Sequence, residues 1–191
     1  MLGRLPTSLN AGGRTYEINT DFRDILCVIA AFNDAELEDR EKVYICLKRI
    51  YKEFEAMPAE AYADAYAAAV RFIECEQPQE NKRSPRVVSW EKDEQLIFPA
   101  INKVAGCEVR RLDYLHWYTF MGFFQGISSE DTYGYILMLR QKKARGKKFE
   151  KHEQEFWNNN RSACVLNAEA GTAAGADKAL REIYESLRKG G

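Results

Sequence analysis

In this 191-residue sequence, the side chains best suited to metal or nucleophilic chemistry are two histidines and five cysteines, and their spacing completes no known scheme. His152-Glu153 begins like the zinc-protease helix H-E-x-x-H, but Phe156 stands where the second histidine ligand is required. Gly146-Lys147 resembles the end of a phosphate-binding loop; Gln141 occupies the place of its first glycine, and neither Ser nor Thr follows the lysine. Asp93 and Glu94 are adjacent carboxylates near the start of a helix, where the positive end of the helix dipole already accounts for them. His116, between Leu115 and Trp117, reads as a hydrogen-bonded core or boundary residue. The cysteines Cys27, Cys46, Cys75, Cys107 and Cys164 are odd in number and include no C-x-x-C pair. That pattern fits reduced thiols in a cytoplasm, with Cys27 and Cys46 as small core residues. The expectation is a protein that is not an enzyme, with no catalytic, cofactor or metal residues.

Charge is the remaining chemical signal. The formal net charge of -1 hides 28 basic and 29 acidic side chains, so any pull toward an anionic partner must be local. It is concentrated in Arg140 to Lys151, RQKKARGKKFEK, where seven Lys or Arg stand against Glu150 alone. Three readings are open: a solvated helix end whose cations complement the C-terminal dipole, a contact to an acidic protein, or a phosphate contact whose strength falls with salt. No base-reading motif accompanies the stretch, which disfavours nucleic acid. No apolar run approaches the ~20 residues that span a bilayer, and the N-terminus lacks a signal-peptide core, so a soluble protein with no membrane partner is expected.

The elements that must carry these residues are mainly helical. LPTSLNAGGRTYEINT alternates apolar and polar residues around Asn10-Ala11-Gly12-Gly13, the pattern of a short β-hairpin that must lie on something to be stable. Thr20 is placed to cap a helix with Phe22, Ile25, Leu26, Ile29 and Phe32 on its apolar positions. A second helix follows the acidic DAELEDRE and carries Val43, Leu47, Ile50, Tyr51 and Phe54; a third starts at Pro58 and aligns Tyr62, Tyr66, Ala69, Val70 and Ile73. QPQENKRSP, from Gln77 to Pro85, reads as a loop. A further helix begins near Trp90 and contains Pro99, which either bends it along the core or divides it in two. Gly106 ends that segment, an aromatic helix is expected over Arg111 to Gln125, and another follows Ser128-Ser129-Glu130-Asp131. The predicted architecture is mainly α: a bundle-like helical domain with an N-terminal hairpin over residues 1–160. Residues 161–191 then read as a flexible linker, AEAGTAAGA, and a short helix with Leu180, Ile183, Tyr184 and Leu187.

Several segments together resemble a known family. DFRDIL, AAAVRFIECE, VVSWEKDEQLIFPAINKVAGCEVRRLDYLHWYTFMGFF and ILMLRQKK, spread over residues 5–160, are similar to the bacteriophage "gene product fifteen" proteins from the tail regions of long-tailed phages and prophages of Gram-positive bacteria. The run from Trp90 to Ile101 and the group Leu115-His116-Trp117 are its most specific parts. The resemblance implies a non-enzymatic tail assembly chaperone that binds the tape-measure protein and assists polymerisation of the tail tube, with the tail-tube protein as a second partner. It implies a place in the host cytoplasm and absence from the mature virion. The alternatives are a structural tail or connector protein retained in the virion, or a nucleic-acid-associated helical protein using residues 140–151. Self-association stays open.

For a chaperone of this kind, the expected contact residues are exposed aromatics, Trp117, Tyr118, Phe124 and Trp157, and the cations Lys142, Lys143, Lys147 and Lys148. Asp93 or Glu94 is further expected to pair with Arg140 or the basic stretch, which would tie the two ends of the resemblance together.

Overall fold

Gly12 and Gly13 adopt φ values of 53° and 75°, and this left-handed pair turns strand β1 (Ser8–Ala11) back onto antiparallel β2 (Arg14–Glu17), with Leu9 opposite Tyr16. The structure, a computed structural model, describes residues 3–76 and 86–166. The expected loop at 77–85 and the expected linker and terminal helix beyond residue 166 lie outside the described residues. Within these, eight α-helices accompany the hairpin, and two compact units are distinguished. The first comprises residues 3–76 with Tyr114–Tyr118; the second comprises 86–113 and 119–166.

In the first unit, helices α1 (Phe22–Asn33), α2 (Asp39–Ile50) and α3 (Tyr62–Ile73) enclose a core of Phe22, Ile25, Val28, Val43, Leu47, Ile50 and Phe72. The hairpin lies on α3. Its Gly12 N–H donates to Asp64 at 3.2 Å, and a Cβ at Gly12 would come within 2.9 Å of the Ala61 methyl. The alanines of α3 serve the same close approach, with Ala65 and Ala69 fully buried. Tyr51 fixes the α2–α3 spacing by donating its hydroxyl to the Ala65 carbonyl at 2.8 Å. Burial pushes that phenol well above its ordinary pKa, so it stays a neutral donor.

Three local expectations need correction here. The cap of α1 is Asp21, whose carboxylate accepts from the Arg23 N–H at 3.0 Å, while Thr20 is buried and its hydroxyl meets that of Tyr114 at 2.7 Å. Pro58 begins a 3-10 turn, Ala59–Ala61, that leads into α3 rather than starting the helix itself. Cys46 is a core residue, with its thiol pushed up to about 12 by burial, but Cys27 lies on the exposed side of α1.

Tyr114–Tyr118 completes this unit: Tyr114 to His116 form a short extended strap, and Trp117 and Tyr118 open the next helix. The Phe22 N–H donates to the Leu115 carbonyl at 3.0 Å and the Trp117 N–H to the Thr20 carbonyl at 2.7 Å, while the Leu115 N–H reaches the second oxygen of Asp21 at 3.0 Å. One carboxylate thus caps a helix and anchors a strand. The strap explains why helix α5 (Trp117–Gln125) starts six residues later than the apolar spacing predicts: Leu115 and His116 are committed to the bridge with Asp21.

In the second unit, α4 (Glu94–Ala105) runs without interruption through Pro99, so the single-helix alternative holds. The missing proline N–H would have bonded the Gln95 carbonyl, and both residues are on the exposed face, where water can serve that oxygen. The opposite face buries Ile97, Phe98 and Ile101, with Phe98 against Phe120 of α5 at 6.0 Å. Gly106, at φ 72°, ends the helix. Helices α6 (Thr132–Ala144), α7 (Lys151–Asn159) and the single turn α8 (Arg161–Cys164) follow, packing Ile136, Leu139, Trp157 and Cys164 together. At Gly134 a Cβ would fall 2.0 Å from the Ser128 carbonyl oxygen, which only glycine avoids.

Candidate functional site

The second unit is organised around one buried ion pair. Arg140 on α6 and Asp93, just before α4, have side chains 4% and 1% exposed, and they pair through two bonds of 2.6 and 2.8 Å. The remaining guanidinium donors reach the carbonyls of Cys164 at 3.0 Å, Val87 at 2.9 Å and Ala163 at 2.5 Å. All five N–H groups of Arg140 are therefore used, the condition under which a buried guanidinium is tolerated. Asp93 also accepts from the Ser89 N–H at 3.1 Å. Beside the pair, burial and then the Asp93 carboxylate hold the Tyr133 phenol well above its ordinary pKa. The pairing expected of Asp93 or Glu94 with Arg140 is thus realised by Asp93, while Glu94 is exposed on the first turn of α4.

Arg140 therefore holds two stretches of chain at once, at Val87 and at Ala163-Cys164; the Lys92 ammonium adds a bond to the next carbonyl, that of Val165. Against this clamp lies an open cavity of about 200 Å³, lined by Arg86, Arg140, Lys143, Ala144, Trp157 and the stretch Cys164 to Leu166. Its lining combines apolar side chains with the cationic Arg86 and Lys143. The Lys143 ammonium stands over the Trp157 ring, 4.3 Å from its centroid, a cation–π geometry that keeps the charge at the lip.

The lysines of the basic stretch do different things. Lys142 turns inward and pairs with Glu153 at 2.5 Å; the same carboxylate accepts from the Glu150 N–H at 2.7 Å and closes a capping box at the start of α7. The Lys142 ammonium, followed by that N–H, holds Glu153 below its ordinary pKa. Lys147 and Lys148 are exposed in the turn after α6, where Gly146 adopts φ 67°, and their ammonium groups meet no carboxylate among the described residues.

The aromatic candidates divide as well. Trp117 is 1% exposed and donates its indole N–H to the Ile73 carbonyl at 2.9 Å, and Trp157 is 5% exposed under Lys143. The expectation that these two stand on the surface fails, because each indole fills a core position that helical spacing alone does not distinguish from an outward one. Tyr118 is half-buried and stacks on Phe72 at 5.2 Å; Phe124 is half-buried against Trp90 at 4.9 Å. The structure thus brings Lys143 and Trp157 into one cavity, and Lys147 and Lys148 into the adjoining turn. It adds Arg86 and Val165, which carried no sequence signal because their neighbours lie more than fifty and twenty residues away.

His116 is buried with both nitrogens engaged: Nδ1 accepts from the Tyr118 N–H at 3.0 Å and Nε2 faces the Pro6 carbonyl at 2.9 Å. This geometry requires the neutral Nε2–H tautomer and gives the ring a positioning part in the strap.

Taken with the fold, these features define a mainly α-helical protein with an N-terminal hairpin and a cationic, partly apolar depression in its second unit. The family model described as Bacteriophage Gp15 protein matches residues 1–163, and the chain belongs to that bacteriophage family. No curated protein and no solved structure matches the chain. The segments that carry the resemblance meet at the two junctions above: Asp21-Phe22 with Leu115-His116-Trp117 in the first unit, and Val87 and Asp93 with Arg140 in the second.

Proposed function

We propose that the protein is a non-enzymatic tail assembly chaperone that holds the tape-measure protein and assists polymerisation of tail-tube subunits. Membership of a bacteriophage family supports the setting. The observation that carries the partner-binding part is the group of exposed cations at Lys147 and Lys148 beside the Lys143–Trp157 cavity. An exposed charged turn next to a partly apolar depression suits recognition of a polypeptide, with charge guiding encounter and apolar burial holding it. Tyr118 and Phe124 remain contact candidates through their exposed portions.

The test is co-expression with the tape-measure protein encoded in the same phage, followed by size-exclusion chromatography with light scattering. The expected result is a soluble complex where the tape measure alone precipitates. Separate elution with continued precipitation would reject the holding role. Mass spectrometry of purified virions separates this reading from a structural tail protein, since a chaperone is expected to be absent from the particle.

A further inference from the structure

We infer that residues 3–76 form an exchangeable module: two copies of this chain swap it about a hinge at Cys75-Glu76, so that the segment Tyr114–Tyr118 of each copy completes the first unit of the other. The inference rests on the strap and the end of α3, and it stands whichever partner the protein holds.

Connectivity is the first ground. The first unit is closed by a segment that enters it from far along the chain. Residues 3–76 continue into the rest of the protein through one covalent crossing, after residue 76, and all five cysteines are free, so no disulfide adds a second. What joins the module to 114–118 is noncovalent. The backbone of Leu115 and Trp117 bonds Thr20, Asp21 and Phe22, the Trp117 indole donates to the Ile73 carbonyl at 2.9 Å, and His116 faces the Pro6 carbonyl at 2.9 Å. The same segment of a second copy can make each of these bonds, which is why swapping is a low-cost route to a dimer.

Exposure is the second ground. Leu115, His116 and Trp117 are 9%, 3% and 1% exposed. A chain whose module has come away leaves this group in water, so it docks again, either on its own module or on that of a copy. Protein concentration selects between the two.

Strain is the third ground, and it favours the copy. Helix α3 ends on Cys75 and Glu76 at φ 55° and 56°, where the Cys75 N–H donates to the Phe72 carbonyl at 3.0 Å and the Glu76 N–H to the Arg71 carbonyl at 2.8 Å. Glycine ordinarily makes this kind of turn, and two successive residues with side chains in the left-handed region are costly. They redirect the chain at the one crossing that exchange straightens. In the exchanged dimer the chain runs on toward the second copy, the turn is released and the strap bonds are kept. A hinge under strain invites swapping for this reason.

The experiment uses the full chain under reducing conditions, unfolded in urea and refolded at low and at high protein concentration, then separated by size-exclusion chromatography with light scattering. Monomer is expected from dilute refolding, and a dimer that persists on dilution from concentrated refolding. Cys75→Gly with Glu76→Gly removes the strain from the closed form and is expected to lower the dimer-to-monomer ratio about fivefold or more. Circular dichroism melting confirms that this variant folds. To tell exchange from side-by-side association, Tyr114, which is 56% exposed and whose hydroxyl meets that of Thr20 at 2.7 Å, is replaced by photoreactive p-benzoylphenylalanine. Chains carrying light and heavy nitrogen are mixed before refolding. Cross-links from position 114 to the peptide around Thr20 are expected to join light to heavy chains in the dimer peak, and only like to like in the monomer peak. A dimer whose cross-links join only like chains would overturn the exchange, and so would a chain that stays monomeric at every concentration. An undiminished dimer ratio in the folded glycine variant would overturn the hinge.

Discussion

At the scale of single residues, the Asp93–Arg140 pair is the most consequential feature, because its members are buried more deeply than ions can be without each other. Removing one member leaves the other as an uncompensated buried charge, at a cost of about 3–5 kcal/mol. Arg140→Gln and Asp93→Asn are each expected to lower stability by about that amount in urea unfolding. The double variant should lose less than the sum of the two, since neither charge is then stranded. Strict additivity would show that the carbonyl bonds of Arg140, rather than the ion pair, dominate. The pair was legible in the sequence, since Asp93 sits in the most specific segment of the resemblance and Arg140 in another of its segments, ILMLRQKK. Trp117 and Trp157 were not: a helical period shows which residues share a face, and a tertiary neighbour decides whether that face is covered.

At the scale of elements, the basic segment shows how one stretch of like charge is split by its context. Lys142 belongs to the architecture of α7 through Glu153, whereas Lys147 and Lys148 are exposed in the turn and meet no carboxylate among the described residues. Glu153 has its folded pKa depressed below the ordinary 4.5 by Lys142. Unfolding therefore takes up a proton as the pH falls through that range, so the stabilisation is present above about pH 4.5 and fades below it. The wild type is expected to lose more urea resistance between pH 6 and pH 3 than Glu153→Gln does; parallel losses would exclude this carboxylate as a source of acid sensitivity. The hairpin, the first three helices and α4 were readable from alternation, glycine placement and helical spacing. The start of α5 was hidden by a strand-like strap whose partner, Asp21, lies more than ninety residues earlier.

For the whole molecule, near-neutral net charge conceals a local cationic surface, and the two kinds of lysine within it give the proposed function a sharp internal control. Lys147→Glu with Lys148→Glu is expected to weaken capture of the partner about tenfold at low salt while leaving the melting temperature unchanged. Lys142→Glu places a second carboxylate against Glu153 and is expected to lower the melting temperature first. A fully retained complex in the turn variant would remove this surface from the mechanism. The cavity itself could not be read in advance, because it is assembled from Arg86, α6, α7, the end of α8 and the two residues after it. The strap at 114–118 bears on the order in which the protein is made. When the ribosome has released only the first 76 residues, the Pro6, Thr20 and Ile73 carbonyls still lack the partners that Trp117 and His116 will bring, and Asp21 lacks the Leu115 N–H. The first unit is therefore sealed only after a long intervening stretch has been made, so a chain ending before residue 114 should remain protease-sensitive, whereas one whose residues 114–118 have emerged from the ribosome should not.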